Sequence, residues 1–246
     1  MISLPTTHLK KTVEKRTNFI VHSGPFRGIR YVNKAVGSGF FQKIIGCYEK
    51  ELHSVLEEVK SISFKRLINI GAAEGYYAVG CLKLIQDLHA IAFETEEKGR
   101  TLMYALASHN GVANRLTIKG NCDVPDLMQI YADKEEPTLL ICDVEGAEDT
   151  LLNIDQVPGL KTSFLLVELH EQHCPGITKQ MKSRFADTHS ITEILSQERD
   201  GSEYPFWDPY IALIPKSYKR SIVKEGRKIQ MSWLWMKPHV ANVNNV

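Results

Sequence analysis

Arg66-Leu67-Ile68-Asn69-Ile70-Gly71-Ala72-Ala73-Glu74-Gly75-Tyr76-Tyr77-Ala78 is the stretch that decides the fold. An apolar run over Arg66 to Gly71 passes at once into a bend of small residues, and then into a helical pattern over Tyr76 to Leu88. Near-continuous apolarity is what a strand buried on both faces of a parallel sheet requires. Gly71 and Gly75 let the backbone turn tightly and approach a ligand that a Cβ would exclude. Strand, glycine bend and helix together open a βαβ unit.

The same rhythm continues downstream. Further strands are expected at HAIAFE (His89 to Glu94), RLTIKG (Arg115 to Gly120), TLLICD (Thr138 to Asp143) and SFLLVELH (Ser163 to His170). Helices are expected between them at Glu97 to Asn110, Pro125 to Ala132, Ala147 to Leu152 and Thr178 to Phe185. Asn110-Gly111 suits a left-handed cap on the second of the helices in this rhythm. After Thr188 come a short segment, SITEILS, an aromatic and proline-rich loop, GSEYPFWDPY, and two strands expected at Tyr210 to Ile214 and Gln230 to Met236, which would close the sheet as an antiparallel hairpin. Residues 1–60 show weaker periodicity, with one helix at Tyr48 to Val59, and read as an N-terminal cap; residues 61–240 form the main domain and 241–246 a tail.

Composition narrows the function. With 246 residues, 43% of them hydrophobic, the chain can bury a full core. Lys and Arg total 30 against 29 Asp and Glu, so there is no global field to attract nucleic acid or an acidic membrane, and neither is expected as a partner. Lys10, Lys11, Lys15 and Arg16 make a local basic cluster that reads as a solvated helix face. Five well-separated cysteines without a CxxC pair fit reduced thiols. No signal-peptide core and no run of about 18 apolar residues occurs, so a cytoplasmic protein is expected.

The chemistry gathers at strand ends. The Gly71 bend lacks GxGxxG, which argues against a pyrophosphate on the helix N-terminus and suits a cofactor without phosphates. Glu94 closes the second strand about 20 residues beyond the bend, where a carboxylate can accept both hydroxyls of a ribose. Asn121, Cys122 and Asp123 follow the third strand and would reach an adenine edge. The fourth strand delivers Asp143 to the cleft, with Glu145 behind it, while Glu148 and Asp149 read as complements to the next helix dipole. Glu168 and His170 stand two apart on the fifth strand and so share a face beside Asp143. An Asp, a Glu and a His can hold a divalent metal or supply a general base; a hydrogen-bonded strand-end histidine is the plainer alternative for His170, and His173 is a weaker member of the group. The aromatic loop with Tyr204, Phe206, Trp207 and Tyr210 is read either as a wall for a sugar or aromatic acceptor or as packing between hairpin and sheet. GxSxG, HExxH, the phosphate-loop motif and Tyr-x-x-x-Lys are all missing.

INIGAAEGYYA, Glu94, ICDVEGAEDTLL and LLVELHE, in that order, resemble the FkbM-like group of class I methyltransferases over about Cys47 to His170. The resemblance implies an α/β Rossmann-like fold with a mostly parallel seven-stranded sheet, helices on both faces and an N-terminal helical cap. It implies S-adenosylmethionine held by Gly71, Gly75 and Glu94; Ala72, Glu74 and Tyr76 of the same bend are further cofactor-binding candidates, although Ala73-Glu74 stands where the family usually shows a polar residue such as asparagine. It also implies a DxEGxE motif at Asp143, Glu145 and Glu148, a Tyr48-Glu49 step facing the cofactor, and methylation of a hydroxyl on a small-molecule acceptor such as a sugar. A related likeness to catechol-type O-methyltransferases places magnesium ligands at the ends of the same two strands, here Asp143, Glu168 and His170. An NAD(P)-dependent oxidoreductase or epimerase, and a non-catalytic Rossmann-like binding domain, are the alternatives.

Overall fold

A computed structural model describes residues 4–133, 136–227 and 229–239. The expected tail at 241–246 lies outside the described residues. Strand β1 (Arg66–Ile70) leads through the glycine bend into α4 (Tyr76–Leu84); β2 (His89–Phe93) is followed by α5 (Glu97–His109), β3 (Leu116–Lys119) by α6 (Val124–Asp133), β4 (Thr138–Cys142) by α7 (Glu148–Leu151), and β5 (Phe164–Leu169) by α8 (Ile177–Phe185). These five strands are parallel, and β6 (His189–Leu195) and β7 (Ser232–Pro238) complete a seven-stranded sheet in the order β3-β2-β1-β4-β5-β7-β6. β7 runs antiparallel to both β5 and β6. The order reverses between β1 and β4, and at such a reversal the crossovers leave a crevice outside the strand C-termini.

The central strands are buried along their whole length because helices cover both faces. Alternate residues feed two cores: Leu67, Leu139, Ile141 and Leu166 join α4, α3 (His53–Ser61) and the N-terminal segment, whereas Ile68, Leu140, Leu165 and Val167 meet residues of α6, α7 and α8. Each fully buried aliphatic side chain contributes about 1.5–3 kcal/mol to this sandwich.

The ends of the chain depart from expectation. The cap begins with α1 (Leu4–Thr17), then α2 (Phe40–Ile45), and the helix expected from Tyr48 starts later, as a 3₁₀ turn at Lys50–Leu52 running into α3 (His53–Ser61). Glu49 stands just before that turn in the left-handed region, φ 43°, which breaks the helix at its expected start. The strand expected at Tyr210 to Ile214 is instead helix α9 (Pro209–Leu213): Asp208 caps it by accepting from Ile211 N at 2.8 Å, and Pro209 presets the first helical φ. Helix α10 (Lys216–Val223) follows, and the partner of β7 is the SITEILS segment.

Candidate functional site

The C-terminal ends of β1 to β5 open into a cavity of about 1240 Å³. Its floor is the bend after β1. Gly71 has φ 73°, and a Cβ there would lie 1.6 Å from the Asp143 carbonyl oxygen, so only glycine lets the ends of β1 and β4 come this close. Gly71 N and Ala72 N both donate to Phe93 O, and Asp143 N donates to Ile70 O, which ties three strand ends into one rim.

Glu94 stands at the tip of β2. Its Oε2 accepts from Ala73 N at 2.7 Å and its Oε1 from Glu96 N at 2.8 Å, so the carboxylate is held in place while each oxygen keeps a lone pair for a ligand hydroxyl. A Cβ at Gly99 would come within 2.8 Å of Glu94 Cγ, so this glycine makes room for the acid. Asn121, Cys122 and Asp123 line the cavity beside it, and Asp123 also caps α6 by accepting from Asp126 N at 2.9 Å.

The acidic end lies across the bend. Asp143, Glu168 and His170 each present one donor atom within 4.8 Å of the others. His170 Nδ1 is 2.5 Å from Glu148 Oε1, both side chains being buried, and the carboxylate fixes that nitrogen as the N–H. When His170 is neutral its lone pair is therefore on Nε2, and when it is protonated the Nε2–H faces Asp143 Oδ1 at 3.4 Å and Glu145 Oε2 at 3.5 Å. Burial works against a charge on His170, but the Glu148 hydrogen bond and the Asp143 carboxylate outweigh it and hold the imidazole above its usual pKa. Burial, with Asp143 and Glu49 close by, pushes Glu168 up to about 10, and burial also raises Asp143. Two carboxyls so close share one proton or a cation.

Most expected site residues meet here. Gly71, Ala72, Tyr76, Glu94, Asn121, Cys122, Asp123, Asp143, Glu168, His170, Tyr48 and Glu49 all line the one cavity. Glu74 and Gly75 do not. Glu74 is fully buried, with Lys43 Nζ at 2.5 Å and Tyr31 Oη and Val36 N donating to it, so it pins the N-terminal segment against the bend. Gly75 turns the chain into α4 where a Cβ would meet Met103 Cγ at 2.5 Å. Glu148 is not a mere dipole complement, since it is buried against His170; Asp149 pairs with Arg184. His173 reaches Glu145 at 3.4 Å at the exposed rim.

The aromatic loop lies elsewhere. None of Tyr204, Phe206, Trp207 and Tyr210 lines the cavity: Tyr204 donates to Leu9 O, Phe206 packs on His22, and Tyr210 meets His8. It packs on the cap rather than on the sheet, because α10 runs beside α1 and α2 and Tyr210 of α9 meets His8 of α1.

Sequence reasoning missed Arg227. Its guanidinium, entering from the segment between α10 and β7, donates to Glu168 at 2.7 Å, to Glu225 at 3.2 Å and to Glu49, while Tyr77 donates to the other Glu49 oxygen. Burial pushes Glu49 up to about 7 against the pull of Arg227. Nothing in the spacing around Arg227 announces this.

No family model and no curated protein matches the sequence. Solved structures do match. The chain is similar to the O-methyltransferase TomG of Streptomyces achromogenes, involved in tomaymycin synthesis and crystallised with S-adenosylmethionine, with a TM-score of 0.50 and 10% identity over 96% of this chain and 91% of that one. The fold is that of a class I methyltransferase. An O-methyltransferase of Bacillus cereus, in complex with S-adenosylhomocysteine, aligns with a TM-score of 0.49 and 11% identity over 96% of this chain and 92% of that one. At such identities the likeness to the methyltransferase fold concerns architecture, and the chemistry has to be argued from this chain's own cavity.

Proposed function

We propose that the protein is an S-adenosylmethionine-dependent methyltransferase acting on a hydroxyl of a small-molecule acceptor, of the sugar or natural-product kind. The observation that carries this reading is the pairing, within one cavity, of a ribose-type acid at Glu94 with the Asp143, Glu168 and His170 group across the Gly71 bend. The cofactor fits the donor set: Glu94 has an open lone pair on each oxygen, Ala72 and Ala73 leave the floor low, and Asn121 and Asp123 offer polar edges to a base. When bound, its sulfonium supplies an already activated methyl group.

The protein's part is positioning and proton handling. His170 Nε2, aimed by Glu148, is the group that takes the acceptor's hydroxyl proton, and Asp143 orients the hydroxyl. Oxygen and imidazole donors within 4.8 Å also suit a divalent cation, which Asp143, Glu168 and His170 would hold and which would supply charge stabilisation for a developing alkoxide.

The bend Gly71-Ala72-Ala73-Glu74-Gly75 argues against the nicotinamide alternative, because it lacks the GxGxxG spacing that brings a dinucleotide pyrophosphate onto the helix N-terminus. Three clustered groups with shifted titration, Asp143 and Glu168 raised by burial and His170 raised against it by Glu148 and Asp143, argue against a non-catalytic domain.

Calorimetry tests the reading. S-adenosylmethionine or its demethylated product should bind at micromolar levels, about −8 kcal/mol, and preference for NADH over both would overturn the assignment.

A further inference from the structure

A second surface is built for something larger than the cavity's ligands. Tyr210, 50% exposed, and Leu213, 82% exposed, are one turn apart on α9, and Trp207, 70% exposed, stands in the segment that leads into it, so the three make an apolar ridge. Monomeric proteins seldom leave such a ridge bare without a partner for it. Tyr210 packs edge-on against His8 at 4.6 Å, which fixes the ridge beside α1. On α1, Lys11 and Lys15 follow His8 at one and two turns on the same face, both exposed, while Leu9 and Val13 are buried on the other side. Neither lysine has an ion pair among the described residues. The nearby acid Asp208 is engaged as the cap of α9.

We propose that this α1–α9 face docks the protein peripherally on an anionic lipid surface, with Trp207, Tyr210 and Leu213 entering the interface and Lys11 and Lys15 meeting the headgroups. Trp and Tyr are the side chains that favour the water–hydrocarbon boundary, and lysines beside them add attraction to acidic lipid. Charge complementarity selects this occupant over a second copy of the chain, whose own lysines would oppose these across a symmetric contact. No helix among the described residues is long and apolar enough to cross a membrane, so the attachment is interfacial. α1 carries Glu14 beside these lysines and α9 its cap Asp208, and the face stays basic through Lys10, Lys11, Lys15 and Arg16, a local excess that the overall charge balance of the sequence hides. The inference is independent of the methyl-transfer reading.

The test is flotation of the full-length protein with phosphatidylcholine vesicles with and without phosphatidylserine. Trp233 and Trp235 are buried, so a blue shift of the emission reports Trp207 alone. Binding to the acidic vesicles with a blue shift, weakened by high salt and roughly tenfold or more by Lys11→Glu with Lys15→Glu, supports the proposal. Trp207→Ser and Leu213→Ser, exposed changes that leave the core intact, should abolish retention. No retention on acidic vesicles overturns it, as does retention unchanged in these variants. A dimer in solution that those serines dissociate, without vesicle binding, equally overturns it in favour of self-association.

Discussion

Glu148 Oε1 lies 2.5 Å from His170 Nδ1, across 22 residues of sequence, with both side chains buried. That one contact decides which imidazole nitrogen faces the cavity. Glu148→Ala should lower kcat for the proposed methyl transfer about 10- to 100-fold while leaving the cofactor dissociation constant unchanged. Glu148→Gln, which can still accept from Nδ1–H, should recover part of the rate. A parallel loss of cofactor affinity in calorimetry would assign Glu148 to structure alone.

Glu94 predicts the opposite split. Glu94→Ala removes the acceptor of the Ala73 and Glu96 amides and the group proposed for the ribose. Cofactor affinity should fall by at least about tenfold, with a stability loss of about 1–2 kcal/mol from the two backbone donors. Unchanged affinity would remove Glu94 from the binding site.

Gly71→Ala tests the floor of the cavity. A Cβ 1.6 Å from the Asp143 carbonyl forces the β1 and β4 ends apart and adds strain at φ 73°, so thermal unfolding should show a loss of about 3 kcal/mol or more. Gly28→Ala is the control: its φ is 92° but nothing lies within 4 Å of the added methyl, so only about 1 kcal/mol of backbone strain is expected.

A cation at the acidic end is directly measurable. Calorimetric titration with Mn²⁺ should show one site that Asp143→Asn removes, with the thermal midpoint of the cation-free protein little changed. Activity indifferent to a chelator, together with no Mn²⁺ heat, would leave His170 as the sole proton acceptor.

His189 sets a pH dependence of stability away from the site. Burial lowers its pKa, against the backbone hydrogen bond that Nε2 donates to Ser163 O at 2.9 Å, and Thr188 Oγ1 lies 2.8 Å from Nδ1. A depressed histidine pKa means that the unfolded chain takes up the proton first. Its contribution is therefore complete above the unfolded value of about 6.5 and is lost as pH falls below it towards the folded pKa. Denaturant unfolding near pH 7.5 and pH 5.5 should show a smaller acid loss for His189→Gln than for the parent; equal losses would place the acid sensitivity elsewhere.

The five parallel strands were legible because burial on both faces demands runs such as Leu67-Ile68 and Leu139-Leu140-Ile141, which few other environments tolerate. β6 was harder to read: it is an edge strand, mostly exposed, and Ser190, Thr192 and Glu193 blur its pattern. The misread strand at Tyr210 to Ile214 carried its correction in Asp208-Pro209, a helix-opening pair.

By itself the sequence determined the βαβ rhythm, the glycine bend and the strand-end acids, since local apolarity and backbone freedom depend on residues close along the chain. Tertiary structure alone decided that Glu148 would aim His170, that Glu74 would turn away to Lys43, and that Arg227 would enter from a segment nearly 60 residues beyond Glu168. The physical reason is burial: a carboxylate shut off from water must find a partner, and which partner lies within reach is set by how the sheet and cap pack, not by neighbours in sequence.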